Sequence, residues 1–93
     1  MTADEIIRHA KHFHVELQKI EALARRDDSA LVIGLRAQVL DFLRSTAGPR
    51  SSFAQQVEEL PRTADWHQAG RLGAIVRSFI DHMERGLVGR DLS

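Results

Sequence analysis

Apolar residues recur at alternating steps of four and three along three separate stretches of this chain. In a helix with 3.6 residues per turn, such steps keep the residues on one face, so each stretch is predicted to form an amphipathic helix. The three series are Ile6, Ala10, Phe13, Leu17, Ile20 and Ala24; Val32, Leu35, Val39 and Phe42; and Ala69, Gly73, Val76, Ile80, Met83 and Leu87. No alternating strand pattern of useful length and no internal repeat is present. The pattern therefore predicts an all-α fold.

Capping and stop residues delimit these helices and a fourth, shorter one. Side chains that accept hydrogen bonds from the first backbone amides favour helix starts, and Gly or Pro favours helix ends. The expected starts are Thr2 with Glu5, Asp28 or Ser29, Ser52 with Gln55, and Thr63 or Asp65. The expected ends are about Arg25, Gly48 before Pro49, Leu60 before Pro61, and Gly86 or Gly89. We predict a single-domain, up-and-down helical bundle over residues 1–93, with three long helices and one short helix.

Composition argues against several classes of function. The chain has 13 basic and 13 acidic residues, scattered along its length, so the cationic face of a nucleic-acid binder or of a polybasic membrane patch is not expected. It has no cysteine, which excludes disulfides and thiolate metal sites. Its first residues resemble no signal peptide, and no apolar run is long enough to span a membrane. The expected compartment is the cytoplasm.

Helix 2 is apolar on almost every side. Besides its main series it carries further aliphatic residues, of which Leu31, Ile33 and Leu40 are the candidates for contact with another chain. A helix that is apolar all round belongs either in the middle of a bundle or at an interface. These two alternatives remain open from the sequence.

Helix 4 carries a patch of small residues, Gly70, Gly73 and Ala74. Glycine inside a helix costs up to about 1 kcal/mol relative to alanine, so its presence calls for a packing reason. The patch is expected to let another helix approach closely, either within the bundle or from another chain. Trp66, the only tryptophan, is interpreted as a lid on the core or as an interface anchor.

No catalytic, cofactor or metal site is predicted. His12 and Glu16 have the i, i+4 spacing of shared metal ligands, with His9 nearby, but bundle metal sites need matching ligands on facing helices. Asp81, with His82 and Glu84 beside it, is interpreted as part of a charged outer face. The segment 48–52 matches no phosphate-binding fingerprint and is interpreted as a turn followed by a cap.

Two segments resemble the small helical domains found at the N-terminus of bacterial conflict-system (antiphage) effector proteins. The first runs from Leu35 and Arg36 through Phe42 and Leu43 to Gly48, Pro49, Arg50, Ser51, Ser52 and Phe53. The second runs from Gly73, Ala74 and Ile75 through Ile80 to Met83, Glu84, Arg85, Gly86 and Leu87. The resemblance implies an adapter or regulatory module. The given sequence contains no effector region, so either an excised domain or a stand-alone relative that works in trans is expected.

The expected function is a non-catalytic protein–protein interaction or oligomerisation module, such as the adapter domain of a bacterial defence protein. Its partner is expected to be a protein, either a second copy in a homodimer or a different chain. The alternative is a small regulatory or inhibitory protein of phage or mobile-element type that binds a larger enzyme or nucleoprotein complex. A third hypothesis, a metal-dependent enzyme, would use His9, His12 and Glu16.

Overall fold

All four predicted helices are present in the computed structural model, which describes residues 2–23, 29–60 and 68–86. Helix α1 spans Ala3–Leu23, α2 spans Ser29–Thr46, α3 spans Ser52–Glu59 and α4 spans Gln68–Glu84. Strands are absent from the described part of the chain. The predicted all-α bundle of three long helices and one short helix is confirmed.

Helices α1 and α4 lie antiparallel and side by side. Near the middle of α1, Lys11 Nζ lies 3.2 Å from Glu84 Oε1 at the end of α4. Further along α1, Leu17 lies against Gly73, which is in the first half of α4. Because contacts from successive positions of α1 run backwards along α4, the two helices form an up-and-down pair.

The apolar series of the sequence form one core. The described residues that are buried are Ala10, Leu17, Ile20, Val32, Val39, Leu43, Phe53, Ala54, Val57, Ala69, Leu72, Ile75, Val76, Phe79 and Ile80. Each of the four helices contributes to this set, so even the short helix α3 is held by tertiary contacts. A helix of eight residues is not stable alone in water, which makes these contacts necessary.

Phenylalanine rings connect all four helices. Phe79 of α4 is fully buried and meets Phe42 of α2 and Phe53 of α3 edge to face, at centroid distances of 5.9 and 5.5 Å. Phe13 of α1 meets Phe42 in the same way at 5.5 Å. Such aromatic pairs stabilise beyond the area they bury. Phe79 is therefore the ring through which α2, α3 and α4 are joined.

Three of the predicted helix boundaries are confirmed in detail. The backbone N–H of Glu5 donates to Thr2 Oγ1 at 3.2 Å, and the Thr2 hydroxyl donates to the Glu5 carboxylate at 3.2 Å. After α2, Gly48 has a φ of 96°, in the left-handed region that glycine adopts without a steric penalty. A φ of 71° at Gly86 likewise follows the end of α4.

The predicted start of α3 is wrong by one residue. Ser51, not Ser52, is the N-cap: its backbone is extended and its Oγ accepts the backbone N–H of Ala54 at 3.1 Å. The turn after α2 explains the shift, because Ser51 N–H donates to Gly48 O at 3.2 Å and leaves Ser52 as the first helical residue. Gln55 reaches back to Arg50 O at 3.5 Å instead of completing a box with Ser52.

Several expectations concern positions outside the described residues. These are the end of helix 1 at Ala24 and Arg25, the cap at Asp28, the caps at Thr63 and Asp65, Pro61, Trp66, and the positions Leu87 and Gly89.

Arg36 of α2 holds the end of α3. Its Nη2 lies 3.1 Å from Val57 O, which also accepts the backbone N–H of Leu60 at 3.2 Å. The same Nη2 lies 3.4 Å from Glu58 O and 3.5 Å from Leu60 O, at the end of the helix. A cation at this position also opposes the negative end of the helix dipole. The side chain of Arg36 is thereby turned toward α3 and away from the open side of α2.

We expect Arg36→Ala to lower the free energy of unfolding by about 1–2 kcal/mol, because it removes charge-assisted hydrogen bonds to partly buried carbonyls. Urea denaturation followed by circular dichroism measures this. Arg44→Ala is the matched control, since Arg44 pairs with Glu58 at the exposed surface and such pairs contribute about 0–1 kcal/mol. Equal losses in the two variants would contradict a capping role for Arg36.

Candidate interaction surface

Helix α2 lies at the side of the bundle, not in its middle. Val32, Val39 and Leu43 are at most 2% exposed and face the core. The residues on the opposite side of the helix remain open to solvent. Of the two alternatives for an all-round apolar helix, the described residues do not show burial in the middle of the bundle.

The open side of α2 consists mainly of small and aliphatic residues from Ala30 to Gln38, and of Asp41, Arg44 and Ser45 beyond them. We call the first part of this side the outer face of α2; its exposed residues are Ala30, Leu31, Ile33, Gly34, Ala37 and Gln38. Leu31 is 57% exposed and Ile33 is 51% exposed, which is high for large aliphatic side chains. Single exposed hydrophobic residues are ordinary in monomeric proteins. Contiguous apolar patches larger than a few hundred Å² mark interaction sites.

A groove between α1 and α2 adjoins this face. It has a volume of about 410 Å³. Its walls are Glu16, Lys19, Ile20 and Leu23 from α1 and Ala30, Leu31, Gly34, Leu35 and Gln38 from α2. Leu23, at one end of the groove, is 54% exposed. The α1–α2 groove and the outer face of α2 together form one mainly apolar surface.

Charged residues border this surface: Glu16 and Lys19 on α1, and Asp41 one turn beyond Ala37 on α2. Glu16 and Lys19 stand one turn apart on α1, with the carboxylate and the ammonium 3.6 Å apart. Between Ser29 and Gln38 the sequence has one charged residue, Arg36, whose guanidinium is bound to the end of α3. The rim formed by the bordering residues therefore carries both signs of charge, and the first ten residues of α2 present no charge to solvent on the outer face.

Gly34 is the functional candidate that sequence reasoning missed. It lies in the interior of α2, and a Cβ placed there would have no atom within 4 Å. The cost of a helical glycine is therefore not explained by packing within the described chain. The sequence contains a signal that could have identified Gly34. A glycine in the interior of a helix calls for a packing reason, and this argument was applied only to helix 4.

The small residues predicted on helix 4 have contacts within the chain. A Cβ on Gly73 would lie 3.7 Å from Leu17 Cβ, and one on Gly70 would lie 3.0 Å from the carboxylate of Glu21. Gly73 thus packs directly against α1, whereas Gly70 lies beside the movable end of the exposed Glu21 side chain. Ala74 is exposed and lines a separate, shallow groove between α3 and α4.

The predicted candidates do not share one surface. Leu31 and Ile33 lie on the outer face of α2, whereas Leu40 is partly buried and packs against the core. Gly70 and Gly73 face α1, and Ala74 opens toward α3. Trp66 lies outside the described residues. Of these candidates only Leu31 lines the α1–α2 groove, where Leu23 and Gly34 join it.

The described histidines on α1 and α4 pack against aromatic rings or line a groove. His9 stacks on Phe42 at a centroid distance of 6.2 Å, and His82 meets Phe53 edge to face at 4.9 Å. His14 lines a groove between α1 and α4. Among residues 2–23, 29–60 and 68–86, no group of three or more His, Cys, Asp or Glu side chains is placed to hold a metal ion.

Within those same ranges, none of the helices combines the length and the apolar character needed to cross a lipid bilayer. Comparisons of the chain with protein-family models, with curated proteins and with solved structures found no match.

Proposed function

We propose that the protein is a non-catalytic protein–protein interaction module that works through the outer face of α2 and the α1–α2 groove. One observation carries the proposal: Leu23 and Leu31, each more than half exposed, line the α1–α2 groove together, and Ile33, 51% exposed, is a further open aliphatic side chain on the outer face of α2. Complete burial of a Leu or Ile side chain contributes about 1.5–3 kcal/mol, and roughly half of that is still available from each of these half-exposed side chains when a partner binds.

The arrangement of charges supports a protein partner over a nucleic acid. A surface for phosphate backbones needs several cations that face one way. Here the rim has Lys19 next to Glu16, and Arg36 is bound to α3. The adapter role implied by the resemblance to antiphage effector domains agrees with this proposal.

Site-specific photocrosslinking in the organism that makes the protein tests the proposal. A benzophenone amino acid replaces Gln38, which is exposed at the edge of the groove, and in the matched control it replaces Ser78, exposed on α4. We expect covalent protein adducts from position 38 and none, or far fewer, from position 78. Equal yields from both positions, or no adduct from position 38, would contradict an interaction surface on α2.

A further inference from the structure

The two ends of α2 are held to the rest of the molecule unequally. In the second part of the helix, Val39 and Leu43 are buried in the core. In the first part, residues 29–35, Val32 is the one buried side chain among those that the structure describes, and Leu35 is partly buried. Because fewer side chains leave water there, less free energy opposes local unfolding of the first part than of the second.

Polar contacts and aromatic contacts have the same uneven distribution. Within the described residues, the side-chain hydrogen bonds and ion pairs of α2 all come from Arg36 or from positions after it. Arg36 and Arg44 both bind α3, and Phe42 meets aromatic rings of α1 and α4. The second part of α2 is therefore fixed to all three neighbouring helices, beginning at Arg36.

Gly34 lowers the stability of the first part further. Glycine destabilises a helix interior because it loses more conformational freedom on folding than alanine does. A close contact made possible by the missing side chain can offset this loss. At Gly34 a Cβ would have no atom within 4 Å, so no such contact exists within the described chain. The helix is weakest where it is also least packed.

We infer that residues 29–35 unfold locally part of the time while the rest of the bundle stays folded, with Arg36 as the fixed boundary. When folded, this segment supplies Leu31, Gly34 and Leu35 to the wall of the α1–α2 groove; when unfolded, it removes that wall. The opening itself follows from the contacts of α2. Its use as a switch that forms and removes the binding surface rests on the proposed function, since a partner in the groove binds the folded form and opposes the opening.

Native-state amide hydrogen exchange, followed by nuclear magnetic resonance, tests the opening. The amides of residues 33–36 report on it, because they are the first in α2 with carbonyl partners four residues earlier; those of residues 42–45 are the reference in the same helix. We expect protection factors at 33–36 to be lower by about tenfold or more. Exchange there should also depend little on sub-denaturing urea, because a local opening exposes little surface.

Two alanine variants separate local opening from unfolding of the whole bundle. Gly34→Ala should raise the protection of residues 33–36 about fivefold, since alanine gains helix propensity and its methyl group meets no atom. Gly73→Ala is the matched control: it makes the same change in α4 and should leave the protection of 33–36 as in the wild type.

Three results would overturn the inference. These are equal protection of the two segments, an equally steep dependence on urea in both, and a protection of 33–36 that Gly34→Ala does not raise or that Gly73→Ala raises as much. Each would mean that the first part of α2 opens only together with the whole bundle. The exchange is measured on the chain alone, so such a result would leave the proposed function standing, and the crosslinking from position 38 tests that function separately.

Discussion

Replacing Phe79 with alanine is expected to remove about 3–5 kcal/mol from the free energy of unfolding, enough to leave much of the protein unfolded at room temperature. The ring is fully buried and contacts Phe42 and Phe53 edge to face. Its loss leaves a cavity at the point where three helices meet. The helices cannot close that cavity without losing other contacts. The loss of stability therefore exceeds the free energy of transferring the ring from the core to water.

Urea denaturation, with near-ultraviolet and far-ultraviolet circular dichroism as separate probes, measures this loss. Phe13→Ala is the matched control, because Phe13 belongs to the same cluster but is only partly buried. We expect it to cost less than half as much as Phe79→Ala. Comparable losses in the two variants would show that Phe79 is not the ring on which the packing of α2, α3 and α4 depends.

The periodic apolar series predicted the fold because periodicity reports which side of a helix is buried. Leu17, Val39 and Val76 each belong to a predicted series and are buried in the structure. Helix starts depend on finer geometry. Ser51 and Ser52 have the same capping chemistry, and only the hydrogen bond from Ser51 N–H to Gly48 O decides which of them is the cap.

The candidate surface could be predicted only in part. Leu31 and Ile33 stood out because helix 2 has more apolar residues than one buried face requires. Which of these residues remain exposed depends on where α1 and α3 pack against α2. The sequence of α2 alone does not show the positions of those neighbouring helices. Gly34 and Gly73 look alike in sequence, but one faces solvent and the other faces Leu17.

Gly73→Leu is expected to destabilise the fold itself, by about 1–3 kcal/mol. Gly73 is buried between α1 and α4, and a Cβ there already reaches ordinary contact distance, 3.7 Å from Leu17 Cβ. The additional carbons of leucine must push the two helices apart. Separating α1 from α4 weakens the other contacts between these two antiparallel helices, so the free energy of unfolding falls.

Gly73→Ala is the control that separates overpacking from a role in association. Its single methyl group fits at 3.7 Å and gains helix propensity, so stability should be unchanged or rise by up to about 1 kcal/mol. If Gly73 served an interface between chains, leucine would weaken association and leave the urea midpoint in place. Because Gly73 packs against its own chain, we expect the urea midpoint to fall at a protein concentration where the chain is monomeric. An unchanged midpoint there would contradict this packing role.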